Sequence, residues 1–477
     1  MVSSLSGLHT EMQHSESASG SSTGLGRRVL VIAYHWPPDA SIGGVRPVKL
    51  VAQLKAQGWE PIILTVNEQY HEQLDSKLIG SATGQIVIRT RCLPNLPRLY
   101  VVMRSFVAKL FVRSAEPSPV QGAAGVKAHK VTGSRKGWRL RRVFLSIMYT
   151  PDEHIGWLPF GLVQALKAIR KYHVTCMIST GPPFTAHVIA LLTRVLSGVA
   201  WIADFRDPWA MSETRTSEST SRISDWLNRR IERAVVCRAD RVICVTPLMT
   251  QWYRAHYPIL PSGHWETITN GFSAGEFEAV AGIPLSAKFT ISHLGSIEYE
   301  RTPELVFQAV RELCDEGMVQ RGEIEIRLVG KCHEVCGRPM TELIAEYGLG
   351  DIVNMVRPVP RDEALKEMRR AHVLLLLAPQ QKIQIPGKAY EYIGANRPIL
   401  AITEQDGATA GVIMSVGGAV VSQGDVKEMK KVLESWYGEF RCGLDVQVRP
   451  SELGVKAIEF EWDRLGARYS QVLRSVC

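Results

Sequence analysis

VLVIAYHWPPDASIGGVRPVKLVAQLKAQGWEPIILT, residues 29–65, decides the architecture. Val29–Ala33 is an apolar run of strand length, and Pro61–Thr65 is a second. Between them Val45, Val48, Val51 and Leu54 recur at the spacing of one helix face. Pro47 falls in the first helical turn, where its missing N–H costs little, and Gly58 ends the helix. This β–loop–α–β unit is the seed of a doubly wound parallel sheet.

The same alternation continues outward. Further strands are predicted at Ile86–Arg89, Thr175–Ser179, Ala200–Asp204 and Val242–Thr246. A second set begins near Lys288, with strands at Phe289–Leu294, Ile324–Val329, Val353–Val356, Val373–Ala378 and Pro398–Ile402. Helices are predicted at Pro303–Leu313, Met340–Tyr347, Asp362–Arg370 and Lys388–Gly394, and a last one from about Gly454 to Val476. The expected α/β architecture is two Rossmann-like domains, residues 27–272 and 285–450, joined by a hinge around Asn270–Pro284. Residues 451–477 follow as a C-terminal helix. Residues 1–26 are polar and rich in Ser and Gly, without the apolar segment of a signal peptide, and read as a disordered tail.

At 477 residues the chain is long enough for two large cores, and 45% hydrophobic against 22% charged residues is an ordinary globular balance. That excludes extensive disorder, a collagen-like chain and a disulfide scaffold. The nine cysteines show no framework and read as reduced thiols of a cytoplasmic protein. The longest apolar stretch, His187–Ala203, is broken by Arg194, so no membrane span is expected. The net charge of +9 points weakly to an anionic partner. It concentrates where the alternation breaks, in an insertion at about 98–150. There an amphipathic segment, Leu99–Val112, precedes a basic run from Lys127 to Arg142, with no acidic residue between Pro117 and Pro151. The run is either a solvated loop or, with the amphipathic segment, a contact of residues 99–142 with an anionic membrane surface. No nucleic-acid-binding module accompanies it, and no nucleic-acid partner is expected.

Four motifs carry candidate chemistry. Gly43-Gly44 lies between a strand and a helix N-terminus, where backbone can approach a phosphate; otherwise it is a tight turn. It is not the G-x-G-x-x-G fingerprint, which argues against a dinucleotide cofactor. His293-Leu294-Gly295-Ser296 closes the first strand of the second set and leads to Arg301-Thr302-Pro303-Glu304. Thr302 is the expected N-cap and Pro303 the first helical residue; Arg301 with that N-terminus suits a diphosphate, or is a solvated side chain beside a plain cap. In Pro386-Gly387-Lys388-Ala389-Tyr390-Glu391-Tyr392, Lys388 and Glu391 share a helix face, as a surface pair or with Glu391 accepting from two vicinal hydroxyls of a ribose. Asp204 and Asp207 flank Arg206 at a strand end, as a buried ion-pair network or as an acid/base or acceptor-orienting cluster. No metal site is expected. There is no Asp-x-Asp, and Cys332-His333-x-x-Cys336 lacks a fourth ligand.

Taken in order, these stretches resemble glycosyltransferase family 4, on the two-domain GT-B fold. The resemblance runs through Tyr34–Pro38 with Gly43–Arg46, Ser179–Pro183, Ala203–Trp209, Thr269–Phe272, and Pro386–Tyr392 followed by Asn396–Leu400. It implies two domains facing each other across a cleft, with the C-terminal helix crossing back to the first. It also implies a retaining, metal-independent transferase without a cofactor. The nucleotide-diphosphate sugar, a UDP-sugar by preference, would sit on the second domain, and a saccharide or lipid-linked acceptor on the first. Gly43, Gly44, Arg301, Lys388 and Glu391 would bind the donor, Glu391 through its ribose, while Asp204, Arg206 and Asp207 would form the catalytic cluster. Two positions depart from the family. Thr302 stands where a Lys is common, and Ile383 where a second glutamate often lies. Synthesis of a surface polysaccharide or glycolipid follows as the expected role; a non-catalytic scaffold and a UDP-sugar epimerase on the same fold are the alternatives.

Overall fold

The computed structural model describes residues 27–75, 78, 80, 84–94, 149–210, 222–297, 301–444 and 456–477. The expected amphipathic segment Leu99–Val112, the basic run Lys127–Arg142 and the N-terminal 26 residues lie outside these.

The first sheet contains β1 (Arg27–Ala33), β2 (Trp59–Val66), β3 (Ile86–Thr90), β4 (Cys176–Gly181), β5 (Ala200–Phe205), β6 (Arg241–Cys244) and β7 (Trp265–Thr267). All pairs are parallel and the spatial order is β3-β2-β1-β4-β5-β6-β7. Its crossings run through α1 (Val45–Ala56), α2 (Leu158–Tyr172), α3 (Thr185–Ser197), α4 (Arg222–Arg238) and α5 (Pro247–His256). A short helix, α6 (Ala274–Glu278), occupies the expected hinge.

The second sheet contains β8 (Phe289–Leu294) and β9 (Ile324–Val329). After a small antiparallel pair, β10 (Glu334–Val335) and β11 (Arg338–Pro339), it continues with β12 (Val353–Val356), β13 (Val373–Leu377), β14 (Ile399–Ile402) and β15 (Ala419–Val421). Its order is β12-β9-β8-β13-β14-β15, again all parallel. The helices are α7 (Glu304–Asp315), α8 (Met340–Glu346), α9 (Arg361–Arg370), α10 (Gly387–Ala395), α11 (Ala408–Ser415), α12 (Val426–Arg441) and finally α13 (Trp462–Arg474). Strands β1 and β13 are buried almost throughout, because helices cover both faces; that is why they read as unbroken apolar runs.

Three differences from expectation have local causes. β7 and β15 are three-residue edge strands, too short to carry a period. The cap of α7 is displaced by one residue. Pro303, not Thr302, is the N-cap, and the Thr302 hydroxyl accepts from Glu304 N at 3.2 Å. The last helix begins at Trp462, because Phe272 and Glu461 first pair as a parallel bridge.

That bridge anchors the return of the chain to the first domain. Phe272 N donates to Phe460 O, and Trp462 N to Phe272 O, both at 3.0 Å. Helix α13 then buries Trp462, Leu465, Tyr469 and Leu473 against Val29, Trp36, Leu50 and Trp59, and Trp59 Nε1 donates to Ser470 Oγ at 2.8 Å. Gly271 permits the approach, since a Cβ there would overlap the Phe460 carbonyl and the Leu465 side chain. Gly271→Ala should therefore lower stability by about 1–3 kcal/mol, the usual cost of overpacking. Urea denaturation at neutral pH measures it, and an unchanged midpoint would show that residues 460–465 can yield.

Candidate active site

In open parallel sheets, ligands bind outside the carboxyl ends of strands where the order reverses. In the first sheet that point lies between β1 and β4, and in the second between β8 and β13. The loops at these two points carry most of the residues singled out above, and the loops of the two domains touch. Gln384 Nε2 donates to Asp207 Oδ1 at 2.7 Å, and Thr246 Oγ1 donates to the Ile383 carbonyl at 2.7 Å. Ile383 thus offers its backbone to the first domain, where the family often places a glutamate.

On the first domain, Asp204 ends β5 fully buried. Arg46 Nη2 reaches its Oδ1 at 2.7 Å, Arg46 Nε reaches Oδ2 at 3.0 Å, and Thr180 Oγ1 donates to Oδ2 at 2.8 Å. Burial pushes the Asp204 carboxyl up, but the adjacent guanidinium outweighs it and holds the group below the usual carboxylate range. Tyr469 of α13 lies beside this pair, its pKa raised by burial and by the Asp204 charge. Arg206 is half-buried and braces two loops. Its guanidinium donates to the carbonyls of Gly43 and Pro182, and burial pulls its pKa down. Gly43 packs on His35, with a Cβ at that position coming within 2.6 Å of the ring; at Gly44 a Cβ would meet only ordinary contacts. A 3-10 turn, Ile42–Gly44, runs into α1, so Gly44 N already donates to Ser41 O at 3.0 Å and Val45 N to Ile42 O, and Pro47 has no N–H; the expected row of free N–H groups for a phosphate is largely used up here.

On the second domain, Lys388 Nζ lies 3.3 Å from His293 Nε2 and directly over Gly295, whose φ of +113° and lack of a Cβ allow the approach. His293 is fully buried and its Nδ1 faces the Leu375 carbonyl at 2.9 Å. Burial, then the charges of Lys388 and Arg301, bring its pKa down to about 3. The imidazole is therefore neutral at pH 7, with Nδ1–H donating to Leu375 and Nε2 free to accept from Lys388. Arg301 is near enough for its charge to be felt, and α10 begins uncapped with open space beside Gly387. Two nearby cations and a helix N-terminus without a side-chain cap are an arrangement that suits an anion. One turn on, Glu391 accepts from Arg361 at 2.6 Å, Arg361 also holds Glu276 at 2.6 Å, and Glu276 pairs with Lys49 of α1. Lys388 and Glu391 thus point to different partners.

Sequence reasoning missed the other half of the Asp204 pair. Arg46 stood in the quoted motif, but its partner is 158 residues away and nothing local links them. Arg361 and Tyr392 were missed likewise. The Tyr392 hydroxyl accepts from Leu294 N at 2.9 Å and so satisfies the buried backbone at the end of β8.

Known proteins share this fold. Residues 43–271 match the family model described as a glycosyl transferase 4-like domain. The D-inositol 3-phosphate glycosyltransferase of Streptosporangium roseum is 22% identical over 306 residues, which is 58% of this chain and 67% of that protein. HepE of Anabaena, solved in complex with UDP, superposes with a TM-score of 0.59 at 11% identity, covering 94% of this chain and 100% of that one. The sucrose-phosphate synthase of Thermosynechococcus elongatus superposes with a TM-score of 0.58 at 14% identity, covering 94% and 98%. With two parallel-sheet domains and a C-terminal helix returned to the first, the chain has the GT-B fold of these glycosyltransferases, and its residues 43–271 are similar to the glycosyl transferase 4-like domain.

Proposed function

We propose that this glycosyltransferase moves a sugar, with retention of anomeric configuration, from a UDP-sugar to a saccharide or lipid-linked acceptor in the making of a surface polysaccharide or glycolipid. The observation that carries the donor assignment is the convergence of Lys388, Arg301 and the α10 N-terminus at the β8/β13 switch point, one turn before Glu391. Departure of the diphosphate develops negative charge, and fixed cations and backbone N–H groups at that spot stabilise it without a metal. Glu391 exchanges Arg361 for the ribose hydroxyls. The base is taken as uracil because HepE was solved with UDP and with UDP-glucose.

The acceptor lies against the first domain, near Arg206, Asp207 and the Gly43-Gly44 loop. Asp204, sealed by Arg46 and Thr180, acts as a positioning group that sets the height of the Arg206 loop. Closure of the cleft excludes water, so that the sugar passes to the acceptor and is not hydrolysed. Among the described residues no helix is long and apolar enough to cross a membrane. A lipid-linked acceptor would be met from the cytoplasmic face, through residues 99–142.

Thermal melting against a panel of nucleotides and nucleotide sugars tests this reading. UDP and one UDP-sugar are expected to raise the midpoint, since a ligand at about 100 times its Kd adds roughly 2.7 kcal/mol. Glu391→Ala should weaken nucleotide binding by about 1.5–3 kcal/mol, the loss of a charged hydrogen-bonding group. A midpoint unmoved by every nucleotide would overturn the donor assignment and leave a non-catalytic scaffold.

A further inference from the structure

Outside the anion site and the Asp204 cluster, one group of side chains is arranged for chemistry that the transfer reaction does not use. His35 and Asp39 follow β1, and His71 follows β2, at the carboxyl ends of adjacent strands. Their potential ligand atoms all lie within 4.8 Å of one another. Asp39 Oδ2 is 2.6 Å from His35 Nδ1 and 3.2 Å from His71 Nδ1. We propose that His35, Asp39 and His71 form a binding site for a divalent cation of the zinc class on the first-domain wall of the cleft.

The donor set is the first argument. Two imidazole nitrogens and one carboxylate oxygen suit zinc, cobalt or nickel, whereas magnesium and calcium prefer oxygen throughout. The single carboxylate makes the group attract a cation and repel a phosphate. A tetrahedral ion with bonds of about 2.0–2.1 Å spaces its ligands roughly 3.3 Å apart. The Asp39–His71 separation already fits, and the shorter His35–Asp39 contact is a hydrogen bond that the ion would widen.

The second argument is independent of the first. The His71 side chain is only 1% exposed, yet neither of its ring nitrogens makes a hydrogen bond of ordinary geometry, although Nδ1 lies 3.2 Å from Asp39 Oδ2. A buried imidazole in that condition costs free energy unless something binds it. The site is also held in place. Asp39 and Leu74 form an isolated antiparallel bridge, Ala40 N donates to Gln73 O at 3.0 Å, and Asp75 N donates to Pro38 O at 2.8 Å. The two ligand-bearing segments therefore keep their spacing without the ion. Ser41 supplies outer support, its backbone N–H reaching Asp39 Oδ1 at 3.0 Å and its hydroxyl reaching Oδ2 at 2.8 Å. His35, with 24% of its side chain exposed, provides the way in.

Three protein ligands leave one tetrahedral position for water or another oxygen ligand. Because the His35 ring packs on Gly43, the ion would stiffen the loop from His35 to Gly44, while the donor diphosphate keeps its own cations on the second domain. The test is Co2+ titration of chelator-treated, full-length protein, read by visible absorption and by metal analysis. One Co2+ per chain is expected, with the d–d bands of a nitrogen and oxygen site and no thiolate charge-transfer band, displaced by Zn2+ but not by Mg2+. His71→Gln and His35→Gln, each shown to be folded by circular dichroism, should lose that spectrum. Should either fail to fold, a rise in the wild-type melting midpoint with Zn2+ and none with Mg2+ supports the site. Absent stoichiometric binding, a thiolate-type spectrum, or bands that persist in folded His71→Gln would each overturn it.

Discussion

Arg46→Ala should lower stability by about 3–5 kcal/mol, the loss found when one partner of a buried ion pair is removed. Arg46 is 4% exposed and Asp204 not at all. Each of the five guanidinium N–H donors has a partner. Two go to Asp204, and the others to Ile268 O at 2.8 Å, Thr269 O at 2.7 Å and Asn270 Oδ1 at 3.2 Å. Truncation leaves a carboxylate in the core without its counter-charge and two carbonyls after β7 without a donor. Lysine cannot substitute, because a single ammonium does not reproduce the planar fork. Chemical denaturation at pH 7 gives the measurement, and a loss below about 1 kcal/mol would mean that Asp204 finds water or another cation. The double replacement Arg46→Met with Asp204→Leu should recover much of the stability, since apolar pairs often replace buried ion pairs at little cost. If it does so and transfer remains abolished, the pair's value lies in placing the Arg206 loop and not in holding the fold.

The same pair shows what can be read from the chain and what cannot. Alternation of apolar runs and helical periods is local, so both parallel sheets are legible from the first strand onward. The carboxyl ends of β1, β5, β8 and β13 are legible for the same reason. A strand end is a position in sequence: Asp204 and His293 lie at the ends of β5 and β8, and Gly43 and Lys388 at the starts of the helices that follow β1 and β13. What joins those ends is not local. The hydrogen bond from Arg46 to Asp204 spans 158 residues, that from Leu294 to Tyr392 spans 98, and Thr246 meets Ile383 across 137. Nothing in the spacing of either partner announces the other. His71 is the extreme case, an isolated histidine in a polar loop that acquires meaning only when β1 and β2 pair. The two positions that depart from the family pattern have partners of their own. The Ile383 carbonyl is held by Thr246, and the Thr302 hydroxyl supports the first turn of α7.

Acidification should destabilise the protein from about pH 6.5 downward, through its buried histidines. His187 and His293 are both fully buried, and each has its pKa brought down to about 3. For His187 burial is the main cause, with the Arg206 charge adding to it and Asp204 opposing. Its Nδ1 meets the Ser179 hydroxyl at 2.7 Å while its ring stacks on Phe205. In the unfolded chain both histidines titrate near 6.5. Above that pH neither state binds the proton and the two groups contribute their full stability. As pH falls below about 6.5 the unfolded chain binds protons that the native protein refuses, so stability drops with a slope approaching 1.4 kcal/mol per pH unit for each histidine. The loss continues until the native groups protonate near pH 3. Between pH 6.5 and 4.5 this amounts to roughly 2 kcal/mol per histidine. Asp204 and Asp39, held below the usual carboxylate range, stabilise the fold throughout this window and lose that contribution only at lower pH. Denaturation midpoints across that window should therefore slope steeply in the wild type and less steeply in His293→Gln, whose amide can still accept from Lys388 and donate to Leu375 O. Equal slopes in the two proteins would mean that His293 protonates in place, and with it would go the neutral ring that holds the Lys388 ammonium over Gly295.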